Sequence, residues 1–359
     1  MKPSSRALKL VGRLQKCGAI ILLCAMTSGA GARSVTSDDS SLVIKGAPVE
    51  IPNSRQMAFI SKLNGHRYLI KLSIPYAAPP PHGYKVLYVL DGNWYFSSAT
   101  EVAQNFSDVV VVGIGYPEDA NFVQQVDRLR GPASSAFASM RPVDQAVMRE
   151  RVYDLTLPAP DDVMAMEAFP GTIPPKAKNV GGVDDFLKII ETEVKPRVAA
   201  TVAIDPKESA LFGDSLGGLA ALHALLVEPN AFQTFIIGSP SIWWNRKEVL
   251  KDLPKFREVV SAGQAKPKVM VTIGSEEETA PKILPPAWGR GLSRSVVQKS
   301  YDYTRMVRNG ADIVAELKNI HGAIGYTVSN YVVFANNDHG FSLWPALALG
   351  TRFAFYQWP

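Results

Sequence analysis

The sequence contains very little cysteine. Its 359 residues include only Cys17 and Cys24, and both lie near the amino terminus. If that stretch is removed after export, the remaining chain has no thiol, which excludes a disulfide, a cysteine nucleophile and a cysteine-bound metal. No group of His, Asp and Glu residues has the sequence spacing of metal ligands, so we expect no metal and no cofactor.

The sequence also lacks an apolar run of transmembrane length. Its first residues have the pattern of a signal peptide: basic residues precede a short apolar run at 18–26, and Ala30-Gly31-Ala32 fits a cleavage site. We expect residues 1–32 to be a bacterial signal peptide and the mature protein to be periplasmic or secreted, with no stable membrane insertion. A retained membrane anchor is one alternative. A lipid anchor on Cys24 is another, although the bulky Leu23 precedes it.

The net positive charge comes from the same segment. The whole sequence has 38 basic and 33 acidic residues, but residues 1–32 contain five basic residues and no acidic one. The rest therefore has 33 residues of each sign, which argues against a nucleic-acid partner bound through a basic surface. A chain of about 320 residues is long enough to form one large α/β domain.

Hydrophobic patterns predict such a domain over residues 53–359, after a flexible leader at 33–52. Two strands joined at Asn64-Gly65 form a predicted hairpin. Valine- and leucine-rich runs then alternate with helices, which indicates a doubly wound, mostly parallel sheet. The predicted strands are 56–63, 67–74, 85–90, 109–114, 209–212, 233–237 and 268–273; the predicted helices are 182–198, 216–227, 296–307 and 346–355.

The hydrophobic pattern is lost between residues 117 and 181. We expect an irregular insertion there, lying over the carboxyl edge of the sheet, where α/β folds bind their ligands. A second irregular stretch is expected at 276–291.

The segment 211–218, Leu-Phe-Gly-Asp-Ser-Leu-Gly-Gly, contains the G-x-S-x-G pattern in Gly213, Ser215 and Gly217. It lies between a predicted strand and an apolar helix, where a sharp turn would expose the serine. The glycines suit this turn because a Cβ would clash with the tightly folded chain. We expect Ser215 to be a nucleophile, and a glycine-rich turn without a chemical role is the alternative.

A serine nucleophile needs a base, and α/β-hydrolases place nucleophile, acid and base in that order along the chain. His339 follows an apolar run at 331–335 and is the favoured base, with His321 as the second candidate. The acid should follow the strand 268–273, where Glu277 is favoured over Glu276. An exposed acidic loop without a catalytic role is the alternative, and a serine–histidine dyad would then suffice.

The oxyanion of an acyl transfer needs two backbone donors. We expect these to be the N–H groups of Leu216 and of Asn93, which follows the strand 85–90. Trp243 and Trp244 follow another strand end and are candidates for stacking on an acyl group, with simple packing as the alternative. Arg151, in the insertion, is a candidate substrate-binding residue, and a surface ion pair is its alternative role.

These motifs together resemble an esterase family of the α/β-hydrolase superfamily. It includes enterochelin esterase-like and other siderophore trilactone hydrolases, feruloyl and acetyl esterases, S-formylglutathione hydrolase and mycolyltransferases. The run Ser-Pro-Ser-Ile-Trp-Trp most resembles the enterochelin esterase-like branch. The resemblance implies the α/β-hydrolase fold, with Ser215 as nucleophile, His339 as base and the Asn93 and Leu216 amides as oxyanion hole. It rests on residues 87–93, 181–187, 211–223, 238–244 and 338–340.

The region 117–181 is longer and more irregular than this resemblance implies. We therefore expect a serine carboxylic-ester hydrolase that forms an acyl-enzyme and acts on a siderophore or other small ester. An acyltransferase with the same residues is one alternative, and a non-catalytic binding protein on the same fold is the other.

Overall fold

The computed structural model describes residues 49–132, 140–167, 175–282 and 293–356. The predicted signal peptide and most of the predicted leader lie outside these ranges. Among the described residues, no helix is both long enough and apolar enough to cross a bilayer.

The described strands form a single sheet. They are β1 (Ser54–Ile60), β2 (Arg67–Ser73), β3 (Tyr84–Val89), β4 (Val109–Gly115), β5 (Ile204–Asp214), β6 (Thr234–Gly238), β7 (Lys268–Gly274), β8 (Thr327–Val328) and β9 (Val332–Phe334). Their order in space is β1-β2-β4-β3-β5-β6-β7-β8, and β9 also pairs with β7. The pairs β1–β2 and β2–β4 are antiparallel and the other pairs are parallel.

Helices connect the parallel strands. They are α1 (Gly92–Ala103), α2 (Ala120–Arg130), α3 (Pro142–Asp154), α4 (Asp161–Glu167), α5 (Val183–Ile189), α6 (Lys195–Thr201), α7 (Leu216–Val227), α8 (Trp244–Lys247), α9 (Leu253–Ser261), α10 (Arg294–Thr304), α11 (Met306–Lys318) and α12 (Leu343–Phe355). A π-helical turn joins α5 to α6, so the predicted helix 182–198 is one nearly continuous helical segment.

Alternate residues of the central strands pack into two separate cores. In β4, Val110 and Val112 belong to one hydrophobic cluster, while Val109 and Val111 belong to the other. The helix α7 covers the first face, and α1 and α12 cover the second. Because side chains alternate across a strand, a strand covered on both faces must be apolar throughout. This confirms the predicted doubly wound sheet with its amino-terminal hairpin.

Within the predicted insertion at 117–181, the described residues are largely helical and not irregular as predicted. They contain α2, α3 and α4. The inward face of α3 includes Glu150, Arg151 and Asp154, all buried. Because these charged residues occupy positions where a helix usually places apolar ones, the hydrophobic period that predicts a helix is missing.

Phe235 in β6 provides a test of the core. Its ring is fully buried and packs edge-on against Phe232, with ring centroids 5.8 Å apart. Phe235→Ala should lower the free energy of unfolding by about 3–5 kcal/mol, because it leaves a cavity. Denaturant unfolding followed by circular dichroism measures this loss. Tyr76→Ala, at an aromatic residue that is 84% exposed, should change stability by less than about 0.5 kcal/mol, and equal losses would contradict the packing.

Candidate active site

The chain turns sharply between β5 and α7, at Ser215. The backbone of Ser215 has φ 61° and ψ −118°, a conformation that side-chain-bearing residues rarely adopt. A Cβ at Gly213 would collide with the carbonyl of Gly217, so glycine is required there. This is the geometry that the G-x-S-x-G pattern predicts, and it raises the hydroxyl above the carboxyl end of β5.

Backbone hydrogen bonds hold this turn in place. The Ser215 N–H donates to the Gly238 carbonyl over 3.0 Å, and the Ser215 carbonyl accepts from the N–H groups of Leu219 and Ser241 at 2.9 and 3.2 Å. The turn is therefore fixed to the end of β6, to the first turn of α7 and to the loop after β6.

A relay of hydrogen bonds starts at the Ser215 hydroxyl. Ser215 Oγ lies 2.9 Å from His339 Nε2, and His339 Nδ1 lies 2.6 Å from Glu277 Oε2. Because a carboxylate can only accept, the proton between His339 and Glu277 sits on Nδ1, which leaves Nε2 to accept from the serine hydroxyl. The imidazole is thus oriented to remove the proton of Ser215.

Burial distinguishes the two candidate acids. Glu277 is 2% exposed, whereas Glu276 is exposed, and its hydrogen bonds to Asn337 and Thr279 are made by its backbone. The second carboxylate oxygen of Glu277 accepts from Ser239 Oγ at 2.7 Å, Ser342 Oγ at 3.1 Å and the Gly274 N–H at 2.7 Å. Neither serine was predicted to take part: Ser239 begins the run Ser-Pro-Ser-Ile-Trp-Trp but was given no role there, and Ser342 lies in no recognised motif.

These contacts shift the pKa values of the relay in opposite directions. Burial raises the pKa of Glu277, but the hydrogen bond and charge of His339, together with the hydrogen bonds from Ser239 and the Gly274 N–H, outweigh it, so the net pKa lies below its usual value. Removal from water lowers the pKa of His339, and the Glu277 carboxylate more than reverses this and raises it. The carboxylate therefore stabilises the protonated imidazole.

A further carboxyl group precedes the serine and was not predicted to matter. Asp214 is buried, and burial raises its pKa to about 7 against the opposing charge of His339. Its Oδ1 has no hydrogen-bond partner among the described residues. Asp214 therefore adds a titratable group beside the relay.

The two predicted oxyanion donors lie at helix starts. Leu216 is the first residue of α7, and Asn93 lies in the first turn of α1. N–H groups at these positions have no acceptor within their own helix and lie at the positive end of its dipole. The Asn93 side chain accepts from the Tyr116 N–H and donates to its carbonyl, both at 2.8 Å. Asn93 is thus anchored to the chain just after β4.

The three predicted substrate-binding residues differ in their exposure to solvent. Trp243 is half-buried, whereas Trp244 is 5% exposed and its Nε1 donates to the Leu157 carbonyl at 2.8 Å. Arg151 is 6% exposed, and its Nε donates to Asp91 Oδ1 at 2.7 Å. Trp243 alone of the three keeps a surface that a ligand can reach, and the burial of Trp244 and Arg151 favours supporting roles.

The second candidate base, His321, lies away from Ser215. It precedes β8, whose Thr327 pairs with Lys268 at the start of β7. Glu277 follows the other end of β7, so a full strand length separates His321 from the relay. Of the two candidate bases, the structure brings His339 to Ser215.

One group of described residues has donors close enough to hold a metal ion: His66, Glu150 and Asp154, all buried. They are far apart in sequence, so spacing did not reveal them. However, Arg130 already binds both oxygens of Glu150, at 3.1 and 3.2 Å, and the Tyr116 hydroxyl donates to Asp154 at 3.0 Å. The two carboxylates of this cluster are thus already engaged in an ion pair and a hydrogen bond, and His66 Nδ1 lies 2.6 Å from Glu150 Oε1.

Residues 61–321 match the family described as "Putative esterase". The chain belongs to this esterase family. The matched range includes Ser215 and Glu277 and ends before His339. The protein is accordingly a carboxylic ester hydrolase.

Named relatives agree with this family. The chain is 30% identical to the siderophore triacetylfusarinine C esterase of Aspergillus fumigatus over 332 residues, 87% of this chain and 96% of that protein. It is 32% identical to the ferri-bacillibactin esterase BesA of Bacillus subtilis over 237 residues, 64% and 72% of the two chains. These similarities confirm the resemblance to the enterochelin esterase-like branch.

Solved structures show the same fold. The siderophore hydrolase EstB from Aspergillus nidulans superposes with a TM-score of 0.65 at 26% identity, covering 88% of this chain and 100% of that one. The corresponding values for EstA from the same organism are 0.64, 26%, 86% and 97%. The fold is therefore the α/β-hydrolase fold.

Glu277 and Glu276 form a matched pair for testing the relay. Glu277→Gln should lower kcat by roughly 10²- to 10⁴-fold, because the amide no longer stabilises the imidazolium. The carboxylate raises the pKa of His339, and activity requires neutral His339, so activity is lost as the pH falls through this pKa. Removal of the Glu277 carboxylate should therefore shift the acidic limb of the kcat/KM profile, the pH range over which activity is lost as the pH falls, to lower pH. Hydrolysis of a chromogenic ester measures this profile.

Glu276→Gln removes the neighbouring exposed charge and should leave kcat within about twofold and the limb unchanged. Similar pH profiles for the two variants would contradict the assignment of Glu277 as the acid.

Proposed function

We propose that the protein is a serine esterase that cleaves a siderophore ester through an acyl-enzyme. The observation that carries this proposal is the relay of hydrogen bonds from Ser215 through His339 to the buried Glu277. It joins three strand ends far apart in sequence, at the strained turn where α/β-hydrolases place their nucleophile.

In the first half of the reaction, Ser215 Oγ attacks the ester carbonyl and His339 Nε2 takes its proton. The carbonyl oxygen of the ester gains negative charge, and the N–H groups of Asn93 and Leu216 are oriented by their helix starts to stabilise it. The imidazolium then gives its proton to the leaving alcohol, and the acyl group remains on Ser215. Glu277 holds the ring and stabilises its positive charge during this step.

In the second half, water replaces the alcohol. His339 removes a proton from the water, which attacks the acyl-enzyme and releases the acid. The proton returns to Ser215 Oγ, so the enzyme ends as it began. The 45% exposure of the His339 side chain supports this step, because water must reach Nε2.

The substrate proposal comes from the named relatives. The relatives in Aspergillus fumigatus and Bacillus subtilis are named as esterases of siderophores, and the chain covers most of both proteins. Trp243 supplies a partly exposed indole on the segment that binds the Ser215 carbonyl through Ser241. We propose that this indole contacts the acyl or alcohol part of the ester. We also propose export, on the basis of residues 1–32 alone.

Substitution of the nucleophile tests the catalytic assignment. Ser215→Ala should keep the fold but reduce p-nitrophenyl butyrate hydrolysis by at least about 10³-fold, because no acyl-enzyme can form. A fluorophosphonate probe should label the wild-type protein and not this variant. Ser209→Ala, which removes the hydroxyl of a serine within β5, is the control and should retain both activity and labelling.

A panel of esters tests the substrate. It includes triacetylfusarinine C, a catecholate trilactone, and feruloyl and acetyl sugars, each supplied to the mature protein with and without added alcohols. We expect the highest kcat/KM for a siderophore ester, with free acid as the product. A preference for sugar esters would contradict the substrate proposal, and transesterification as the main reaction would identify an acyltransferase.

A further inference from the structure

We propose that Arg151 is a positioning residue for the esterase reaction: from helix α3 of the insertion, it holds Asp91, the first residue of the loop 91–93 that carries the proposed donor Asn93 (the oxyanion loop), against the turn 213–217 around Ser215 (the nucleophile turn). This inference rests on the proposed function, because it assigns a role in the same site. It replaces the sequence-based prediction that Arg151 binds substrate directly.

The contact between Arg151 and Asp91 is short and buried. Arg151 Nε lies 2.7 Å from Asp91 Oδ1, and the two side chains are 7% and 1% exposed. The guanidinium carbon also lies 5.7 Å from the centre of the Trp94 ring. A charge pair removed from water is costly to break, because the remaining partner is left buried and unpaired. The contact therefore fixes the position of Asp91 relative to α3.

Asp91 in turn sets the start of α1. Its backbone has φ 54°, and its carbonyl accepts from the N–H groups of Trp94 and Tyr95 at 2.9 and 3.1 Å. These bonds enclose the turn that contains Asn93, the proposed oxyanion donor. A shift of Asp91 would therefore move that N–H relative to Ser215.

The other oxygen of Asp91 faces the nucleophile turn. Oδ2 lies 3.1 Å from the point where a Cβ of Gly217 would be. Among the described residues it has no hydrogen-bond partner. Packing against α7 and electrostatic attraction to Arg151 therefore hold this side of the carboxylate. Asp91 thus contacts both elements that carry the proposed oxyanion donors, the start of α1 and the start of α7. Arg151 holds its other carboxylate oxygen.

The charge of Arg151 also reaches the relay. The ionisable groups facing Arg151 are Asp91, Asp214 and Tyr95, and those facing His339 are Glu277, Asp214 and Arg151. Of the last three, Arg151 alone lowers the pKa of His339. Removal of its charge should raise that pKa, because the two carboxylates would then be opposed by one cation fewer.

The adjacent residue on α3 offers a matched control. Glu150 pairs with Arg130 through Nε at 3.1 Å, and these side chains are also 7% and 1% exposed. That pair joins α2 to α3 instead of joining α3 to the oxyanion loop. Arg130→Gln and Arg151→Gln thus each remove one equally buried arginine charge from the same insertion.

The experiment compares these variants on p-nitrophenyl butyrate, with rates expressed per folded protein. Arg151→Gln should lower kcat about 10- to 100-fold with KM within about threefold, because misplacement of a donor weakens binding of the transition state. Its acidic limb should move to higher pH. Arg130→Gln should keep kcat within about threefold of the wild-type value and leave the acidic limb of the kcat/KM profile in place.

Arg151→Lys keeps the charge but not the guanidinium geometry, so its acidic limb should stay at the wild-type position while kcat is intermediate. If the acidic limb of Arg151→Lys moved as far as that of Arg151→Gln, the proposed effect of the Arg151 charge on the pKa of His339 would be overturned. If Arg151→Gln does not fold, Asp91→Asn tests the same contact from its other side and should show the same loss of kcat.

Equal effects of Arg151→Gln and Arg130→Gln on kcat and on the pH limb would overturn the positioning role. Ser215→Ala separates the two proposals. If that variant is inactive while the arginine variants are indistinguishable, only the positioning role fails. If it hydrolyses the ester at the wild-type rate, the proposed function fails.

Discussion

The strained backbone of Ser215 is the constraint on which the rest of the site depends. A side-chain-bearing residue at φ 61° costs about 1–3 kcal/mol, and this cost must be met by the surrounding structure. The hydrogen bonds to Gly238, Leu219 and Ser241, each with a net worth of about 0.5–1.5 kcal/mol, are enough to offset it. The same bonds attach the serine to β6 and α7, so the strain persists only while the central sheet is intact.

A second constraint is the concentration of buried charge behind the turn. Four ionisable side chains there are nearly inaccessible to water: Glu277, Asp91, Asp214 and Arg151. Away from water, each charge depends on its neighbours for stabilisation. Glu277 has three donors besides His339, and Arg151 faces both aspartates. The relay can hold a positive imidazolium because the surrounding charges and donors are fixed in advance and need not reorganise during the reaction.

The sequence predicted the parts of the site that follow local rules. The nucleophile turn has a motif, and His339 and Glu277 follow strand ends, which meet at one edge of a parallel sheet. The sequence favoured Glu277 over Glu276 from its offset after the strand, and the structure adds the burial that separates the two side chains. The helix α3 and the pair of Arg151 with Asp91 were missed. Polar contacts across 60 residues of sequence leave no periodic pattern.

The insertion contacts two parts of the proposed site, the turn that carries Asn93 and the segment that carries Trp243. Through α3 it holds Asp91, and through the carbonyls of Leu157 and Pro158 it accepts hydrogen bonds from the side chains of Trp244 and Asn245, next to the exposed edge of Trp243. Packed protein interiors transmit strain. Larger changes in the insertion that adapt the site to another ester should therefore alter turnover as well as affinity, since the segment with Trp243, which we propose contacts the substrate, and the turn with Asn93 are attached to the same support.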